Sequence, residues 1–206
     1  TADNEVAFTK WLNSVVDLID SLDKNHLIST GSEGKAGSND DIKAFERTHK
    51  NPKIDYLTMH IWPKNWTWYK LEDEKGSTPI AIEKTLAYID EHITAAKTLK
   101  RPIVLEEFGY PREKESLSKK SSIENRNTFY KAIFERLASS VKNKENFTAL
   151  NFWGYGGIGK NNPEDGKWKT GDDFTADPPQ EPQGLNSVFS SDKSTIEMIK
   201  KFNSKF

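Results

Sequence analysis

The stretch that decides the fold is Ile103-Val104-Leu105-Glu106-Glu107-Phe108-Gly109-Tyr110. Three aliphatic residues run into two carboxylates and then an aromatic-Gly turn. A parallel strand buried on both faces reads as such a continuous apolar run. In a (β/α) barrel the active-site residues stand where strands end, at the C-terminal face. A strand that ends in Glu-Glu-Phe-Gly therefore aims a carboxylate into a cleft. The plain alternative is a strand that ends in a solvated acidic pair.

Outward from this strand, helix and strand signals alternate. Val6 to Leu22 carries Phe8, Trp11, Leu12, Val15, Leu18, Ile19 and Leu22 as one apolar stripe at helical spacing. Leu27 to Thr30 reads as a short strand and Asp40 to Arg47 as a short helix. Ile54 to Ile61 reads as a strand. Pro79 to Leu99 is a long helix with Thr78 as its cap. Ser121 to Val141 is a helix in which Ser121 and Glu124 have the spacing of a capping box. Phe147 to Trp153 is a fourth strand, and a Gly-, Pro- and Asp-rich loop from Gly154 to about Ser191 leads to a last helix over Asp192 to Asn203. One leading helix followed by four strand–helix units implies a parallel sheet with right-handed crossovers. The strand-to-helix loops are long and rich in Trp, His, Glu and Gly, whereas the return loops are short. That asymmetry is expected of a barrel with its site on one face, and a whole barrel needs eight units and about 250 residues.

Composition narrows the partners. The net charge of -1, with both signs interspersed, argues against nucleic acid or an anionic membrane, which demand a basic surface. A neutral polysaccharide fits better. The 206 residues include no Cys, so disulfides and thiolate metal sites are excluded. No apolar run approaches the ~18 residues of a membrane-spanning helix. No signal peptide is evident, and the opening Thr1-Ala2-Asp3-Asn4 has the look of a processed or cut terminus.

Four strand ends, Ser29-Thr30-Gly31-Ser32-Glu33-Gly34, Met59-His60-Ile61-Trp62-Pro63-Lys64-Asn65-Trp66, Leu105-Glu106-Glu107-Phe108-Gly109 and Asn151-Phe152-Trp153-Gly154-Tyr155, stand in this order along the chain. Together with Trp168-Lys-Thr-Gly-Asp-Asp and the run from Pro178 to Phe189, they resemble strands five to eight of glycoside hydrolase family 5, and within it the endo-β-1,4-mannanases. The resemblance covers residues 1–206 as one unit. It implies the C-terminal half of a (β/α)8 TIM-barrel catalytic domain, about four β/α units and a leading helix, from a retaining glycosidase that cleaves internal bonds of mannan or galactomannan without a cofactor or metal. It also implies a secreted, cell-surface or periplasmic location in a bacterium.

Retaining hydrolysis uses a nucleophilic carboxylate and an acid/base carboxylate about 5–5.5 Å apart. By the resemblance Glu107, directly before the aromatic-Gly, is the nucleophile. Glu106, one residue earlier, is expected on the opposite side of the strand as a buried, paired structural carboxylate. His60 resembles a histidine that hydrogen-bonds sugar hydroxyls, and Trp153 a stacking platform for the attacked sugar. Trp66 stands in the loop after His60 as a platform for a further sugar. Where family members carry a Tyr that contacts the nucleophile, this chain has Trp62. An indole donates one N–H and accepts nothing, so that contact does not carry over, and Trp62 is read as a sugar platform or loop packing.

The family's acid/base Glu follows an Asn at the end of strand four. Asn4-Glu5 has that dipeptide but no strand before it, and Glu33 belongs to strand five; both are read as non-catalytic, with the acid/base upstream. An incomplete barrel leaves edges and an apolar face unpaired, so the expected partner is the N-terminal half-barrel or a second copy of the chain. A β-1,4-glucanase shares these strand ends and stays open as an alternative. So does a catalytically incomplete carbohydrate-binding or structural fragment. Asp172, Asp173 and Asp177 lack a regular metal-ligand spacing and are expected to lie in a solvated loop.

Overall fold

The computed structural model describes residues 2–162 and 164–205. These form two compact units: residues 2–61, 87–107 and 137–151, and residues 62–86, 108–136, 152–162 and 164–205.

The first unit holds helices α1 (Ala2–Leu22) and α2 (Ile42–Thr48) and strands β1 (Leu57–Ile61), β2 (Ile103–Phe108, whose last residue begins the second unit) and β3 (Phe147–Leu150). The strands form one sheet in the order β1-β2-β3, and β2 pairs parallel to β3 with Leu105 opposite Leu150. Consecutive strands lie side by side with a long helix between each pair, α3 (Glu74–Leu99) and then α4 (Glu124–Asn143). This is the crossover pattern of successive β/α units. Leu57, Met59, Ile61, Ile89, Ile103, Leu105 and Phe147 are fully buried, and each such side chain contributes about 1.5–3 kcal/mol.

Two expectations change here. Leu27 to Thr30 is extended but is not a sheet strand. It makes separate tethers instead of a ladder: Ile28 N–H donates to Asp55 Oδ2 at 2.7 Å, and Asp55 N–H donates back to Ile28 O at 2.8 Å. The α1 stripe is also not covered. Leu12 and Val16 are buried, but Phe8, Trp11, Leu18, Ile19 and Leu22 are exposed, Trp11 by 57% and Leu22 by 79%.

The second unit is built on aromatic rings. Phe108 packs edge-on to Tyr130 at 4.9 Å, Tyr110 stacks on Phe129 at 4.6 Å, and Phe134 stacks on Phe202 of α5 (Lys193–Asn203) at 5.0 Å. Among them lie two fully buried guanidiniums. Arg112 donates to Asp192 Oδ2 at 2.5 Å. Arg126 donates to the carbonyls of Tyr110, Leu185 and Ser187 at 2.7–2.9 Å. Buried charges persist only when paired and hydrogen-bonded in this way. The long loop before α5 gains structure from a short parallel pair, β4 (Tyr155–Gly157) with β5 (Val188–Phe189).

Both long helices start elsewhere than their local signals indicate. Helix α3 begins at Glu74 and runs through Pro79. Thr78 is not its cap: its hydroxyl donates to Glu74 O at 2.7 Å and pairs with Tyr110 Oη at 2.8 Å. Helix α4 begins at Glu124, and the capping box is not made. Its first-turn Asn125 N–H donates to Glu113 Oε1 at 2.8 Å, a carboxylate from outside the helix doing the work of a cap.

Candidate active site

Along β2 the side chains of Ile103, Leu105 and Phe108 are buried, while Val104, Glu106 and Glu107 are only partly so. The two-residue alternation therefore breaks between Leu105 and Phe108. Glu106 is therefore not fully buried, contrary to expectation: the two carboxylates are 33% and 31% exposed.

His60, near the end of β1 and almost buried, joins them. Its Nε2 lies 3.2 Å from Glu106 Oε2 and its Nδ1 3.3 Å from Glu107 Oε2. A neutral imidazole has one N–H, so the ring donates to both carboxylates only as imidazolium. The Nε2 contact is a hydrogen bond, whereas Nδ1 and Glu107 form a close ion-pair approach. The backbone N–H of His60 donates to Glu33 O at 3.2 Å, which fixes β1 beside the segment before it.

Glu5 lies in the first turns of α1 and receives Arg47 Nε and Nη2 at 2.7 and 2.8 Å, and that pairing holds its carboxyl below the ordinary range. The side chain of Glu33 is exposed.

In the second unit Trp62 and Trp153 meet edge to face, with centroids 5.4 Å apart and planes at 73°. Gly109 makes room for this pair. A Cβ there would stand 2.6 Å from Trp62 Cζ3 and 3.2 Å from the Asn186 side chain, so any other residue would force the indole away. Trp66 is brought beside Trp68 instead, edge-on at 4.9 Å, by a turn in which its N–H donates to Trp62 O at 2.9 Å.

Sequence reasoning missed Asp177. It is buried, not solvated, and its Oδ2 accepts from Gly184 N at 2.6 Å and Ser187 Oγ at 2.7 Å. Burial pushes its carboxyl above the ordinary range, against the pull of the Ser187 hydroxyl, the Gly184 amide, the Trp153 indole and the Asn186 amide. The available signal was the run Pro178-Pro179-Gln180-Glu181-Pro182-Gln183-Gly184, too constrained for an idle loop. Asp172 and Asp173 do not converge with it: they accept from the backbone N–H of Lys169 and Lys160, each at 2.8 Å.

Comparison with known proteins matches residues 1–206 to the family described as GH family 5 beta-mannosidase-like. Mannan endo-1,4-beta-mannosidase 2 of Arabidopsis thaliana is 27% identical over 157 residues, which are 69% of this chain and 34% of that protein. Mannan endo-1,4-beta-mannosidase 4 of Solanum lycopersicum is 25% identical over 171 residues, 77% of this chain and 40% of its own length. Among solved structures, a glycoside hydrolase family 5 mannosidase from Rhizomucor miehei superposes with a TM-score of 0.84 at 30% identity, covering 95% of this chain and 47% of that one. The endo-1,4-beta-D-mannanase of Thermotoga petrophila shares the fold at TM-score 0.61 and 21% identity, with 98% of this chain and 53% of that chain covered. The chain thus spans about a third of the length of the curated relatives and about half that of the solved ones. Its fold is that of the (β/α)8 glycosidases, of which it carries part.

Proposed function

The chain belongs to the GH family 5 beta-mannosidase-like family, and from that premise we propose that it is the nucleophile-bearing half of a retaining endo-β-1,4-mannanase. The observation that carries the reading is the Glu106-His60-Glu107 cluster at the strand end where the family's nucleophile stands.

In this mechanism Glu107 attacks the anomeric carbon of a β-mannosyl unit. The glycosidic bond breaks as an acid/base glutamate protonates the leaving oxygen. Water then cleaves the glycosyl ester on Glu107, giving its proton to the same acid/base residue, so the anomeric configuration is retained. His60, donating through Nδ1, orients the attacking carboxylate. Trp153 stacks under the attacked sugar, Trp62 borders it, and Trp66 serves a more distant sugar. An aromatic face suits the apolar face of a pyranose ring, and the polar rim is left for hydrogen bonds.

We take the acid/base glutamate to come from a preceding half-barrel, because Glu5 is committed to Arg47 and Glu33 is exposed. The uncovered α1 face supports such a partner: Phe8, Trp11, Leu18, Ile19 and Leu22 form an exposed stripe that water tolerates poorly at this size. The active enzyme is then this half together with that one. For a polymeric substrate we infer a location outside the cytoplasm: secreted, at the cell surface or periplasmic.

The test is covalent trapping. A 2-deoxy-2-fluoro-β-mannosyl fluoride slows the second step, and peptide mass spectrometry of the active enzyme should find the adduct on Glu107. Labelling of Glu106 or of no residue would refute the assignment. Hydrolysis of cellulose in preference to mannan would move the enzyme to the β-1,4-glucanases.

A further inference from the structure

Asp177 has work left over. Oδ2 is saturated by Gly184 N and Ser187 Oγ, but Oδ1 is buried and makes no hydrogen bond of regular geometry. The indole Nε1 of Trp153 is likewise buried and without such a bond. An indole N–H only donates and a carboxylate oxygen only accepts, and a buried polar atom left unpaired is costly. These two orphans therefore complement each other.

The backbone brings them together. Gly154, directly after Trp153, has φ +62°, and a Cβ on it would come within 2.8 Å of the Cβ of Ala176, directly before Asp177. Ala176 itself is left-handed, φ 76°. Val188 N–H donates to Gly154 O at 2.9 Å, and Ser187 Oγ lies within hydrogen-bond distance of both Thr175 O and Asp177 Oδ2, its one proton serving either acceptor. Two uncommon backbone conformations thus lie side by side, one directly after Trp153 and one directly before Asp177. Burial raises the Asp177 carboxyl, and the groups that favour its charged form are the Ser187 hydroxyl, the Gly184 amide, the Trp153 indole and the Asn186 amide.

We propose that Asp177 is the positioning residue of Trp153: its Oδ1 accepts the indole N–H and fixes the plane of the ring on which the sugar stacks. This rests on the reading above that Trp153 is a sugar platform. The carboxylate couples the ring to the 184–187 turn, so the angle of the platform is set by the loop rather than by the strand that ends in Trp153.

The test has two arms. In the first, the indole ¹⁵N–¹H signals of the full chain are recorded, with Trp153 assigned through Trp153→Phe. Asp177→Ala should shift the Trp153 signal and speed its exchange with water, whereas Asp177→Asn, which keeps an acceptor oxygen, and Ser187→Ala, which touches only Oδ2, should leave it near its wild-type position. In the second arm, the active enzyme is assayed on mannan. Asp177→Ala should raise KM and cut kcat/KM about tenfold, the scale of one hydrogen bond to a charged group, and Asp177→Asn should restore most of the loss. An unmoved Trp153 signal in folded Asp177→Ala, or a Ser187→Ala variant as impaired as Asp177→Ala, would overturn the proposal. Should Asp177→Ala not fold, exchange of the wild-type indole proton decides: strong protection is expected, and free exchange overturns it. An unchanged KM in Trp153→Ala with the indole signal still responding to Asp177→Ala would refute the platform and leave the contact standing.

Discussion

Acidification should destabilise this protein through His92, a residue with no part in the proposed chemistry. The ring lies on α3 and is fully buried. Its Nδ1 faces Tyr88 O at 2.7 Å, and its Nε2 accepts the backbone N–H of Lys35 at 2.8 Å. A second proton on Nε2 would set N–H against N–H and bury a charge. Desolvation accordingly depresses the imidazole from 6.5 to about 4, despite the Tyr88 carbonyl and the Glu91 carboxylate, which favour the charged form. A group depressed in the folded state binds fewer protons there than in the unfolded chain, so its stabilisation is complete above the unfolded value and is lost as pH falls through the window down to about 4. The shift corresponds to about 3 kcal/mol once pH is below both values, of which about 2 kcal/mol is gone by pH 5. His49, also depressed by burial, adds to the same trend. Asp177, raised by burial, opposes it only at the acidic end. The assay is urea unfolding followed by far-UV circular dichroism at pH 7, 6 and 5, for the wild type and His92→Gln. The wild type should lose about 2 kcal/mol more than the variant between pH 7 and pH 5. Parallel stability curves for the two proteins would refute the reasoning.

Trp153→Ala in the active enzyme should raise KM and lower kcat together, because the ring both binds and orients the sugar at the bond that breaks; a loss of thermal stability with unchanged kinetics would return Trp153 to a packing role. Trp66→Ala should raise KM with kcat nearly unchanged, the mark of uniform binding at a remote position, and steady-state kinetics on mannan-oligosaccharides of increasing length will show it. Glu106→Gln should keep Glu107 open to trapping while lowering kcat by about tenfold, since one donor–acceptor contact to His60 is weakened; complete loss of trapping would exchange the roles of the two carboxylates. Asp192→Ala should cost about 3–5 kcal/mol in urea unfolding by leaving the Arg112 guanidinium buried and unpaired, and a loss below 1 kcal/mol would mean that water or a new partner reaches it.

Periodicity carried the long helices and the strands at Leu57–Ile61, Ile103–Phe108 and Phe147–Leu150, and strand-end chemistry singled out His60 and Glu107, which the structure brings within 3.3 Å, because both are written in residues a few positions apart. What escaped was decided by groups distant in the chain. The start of α4 depends on Glu113, eleven residues before the helix, reaching Asn125. The path of α3 through Pro79 depends on Thr78 finding Tyr110. A local capping signal is overruled whenever a tertiary partner supplies the same hydrogen bond more firmly.

The exposed stripe of α1 and the buried Asp177 are opposite forms of one limit. Hydrophobic spacing states that a face must be covered but not by what, so Trp11 and Leu22 read as core in the sequence and stand exposed in the structure. An aspartate in a Gly- and Pro-rich loop reads as solvated, because no period marks which loop residue turns inward. The two cases divide when polar partners are counted. Trp11 and Leu22 stand largely exposed among the described residues, whereas Asp177 has its own chain's Gly184 and Ser187 on one oxygen and, on the proposal above, the Trp153 indole on the other. A face whose cover lies elsewhere points to assembly. A buried carboxylate with one oxygen to spare beside a proposed sugar platform points to the control of that platform, and the Trp153 indole signal in Asp177→Ala reads that control without waiting for the partner to be found.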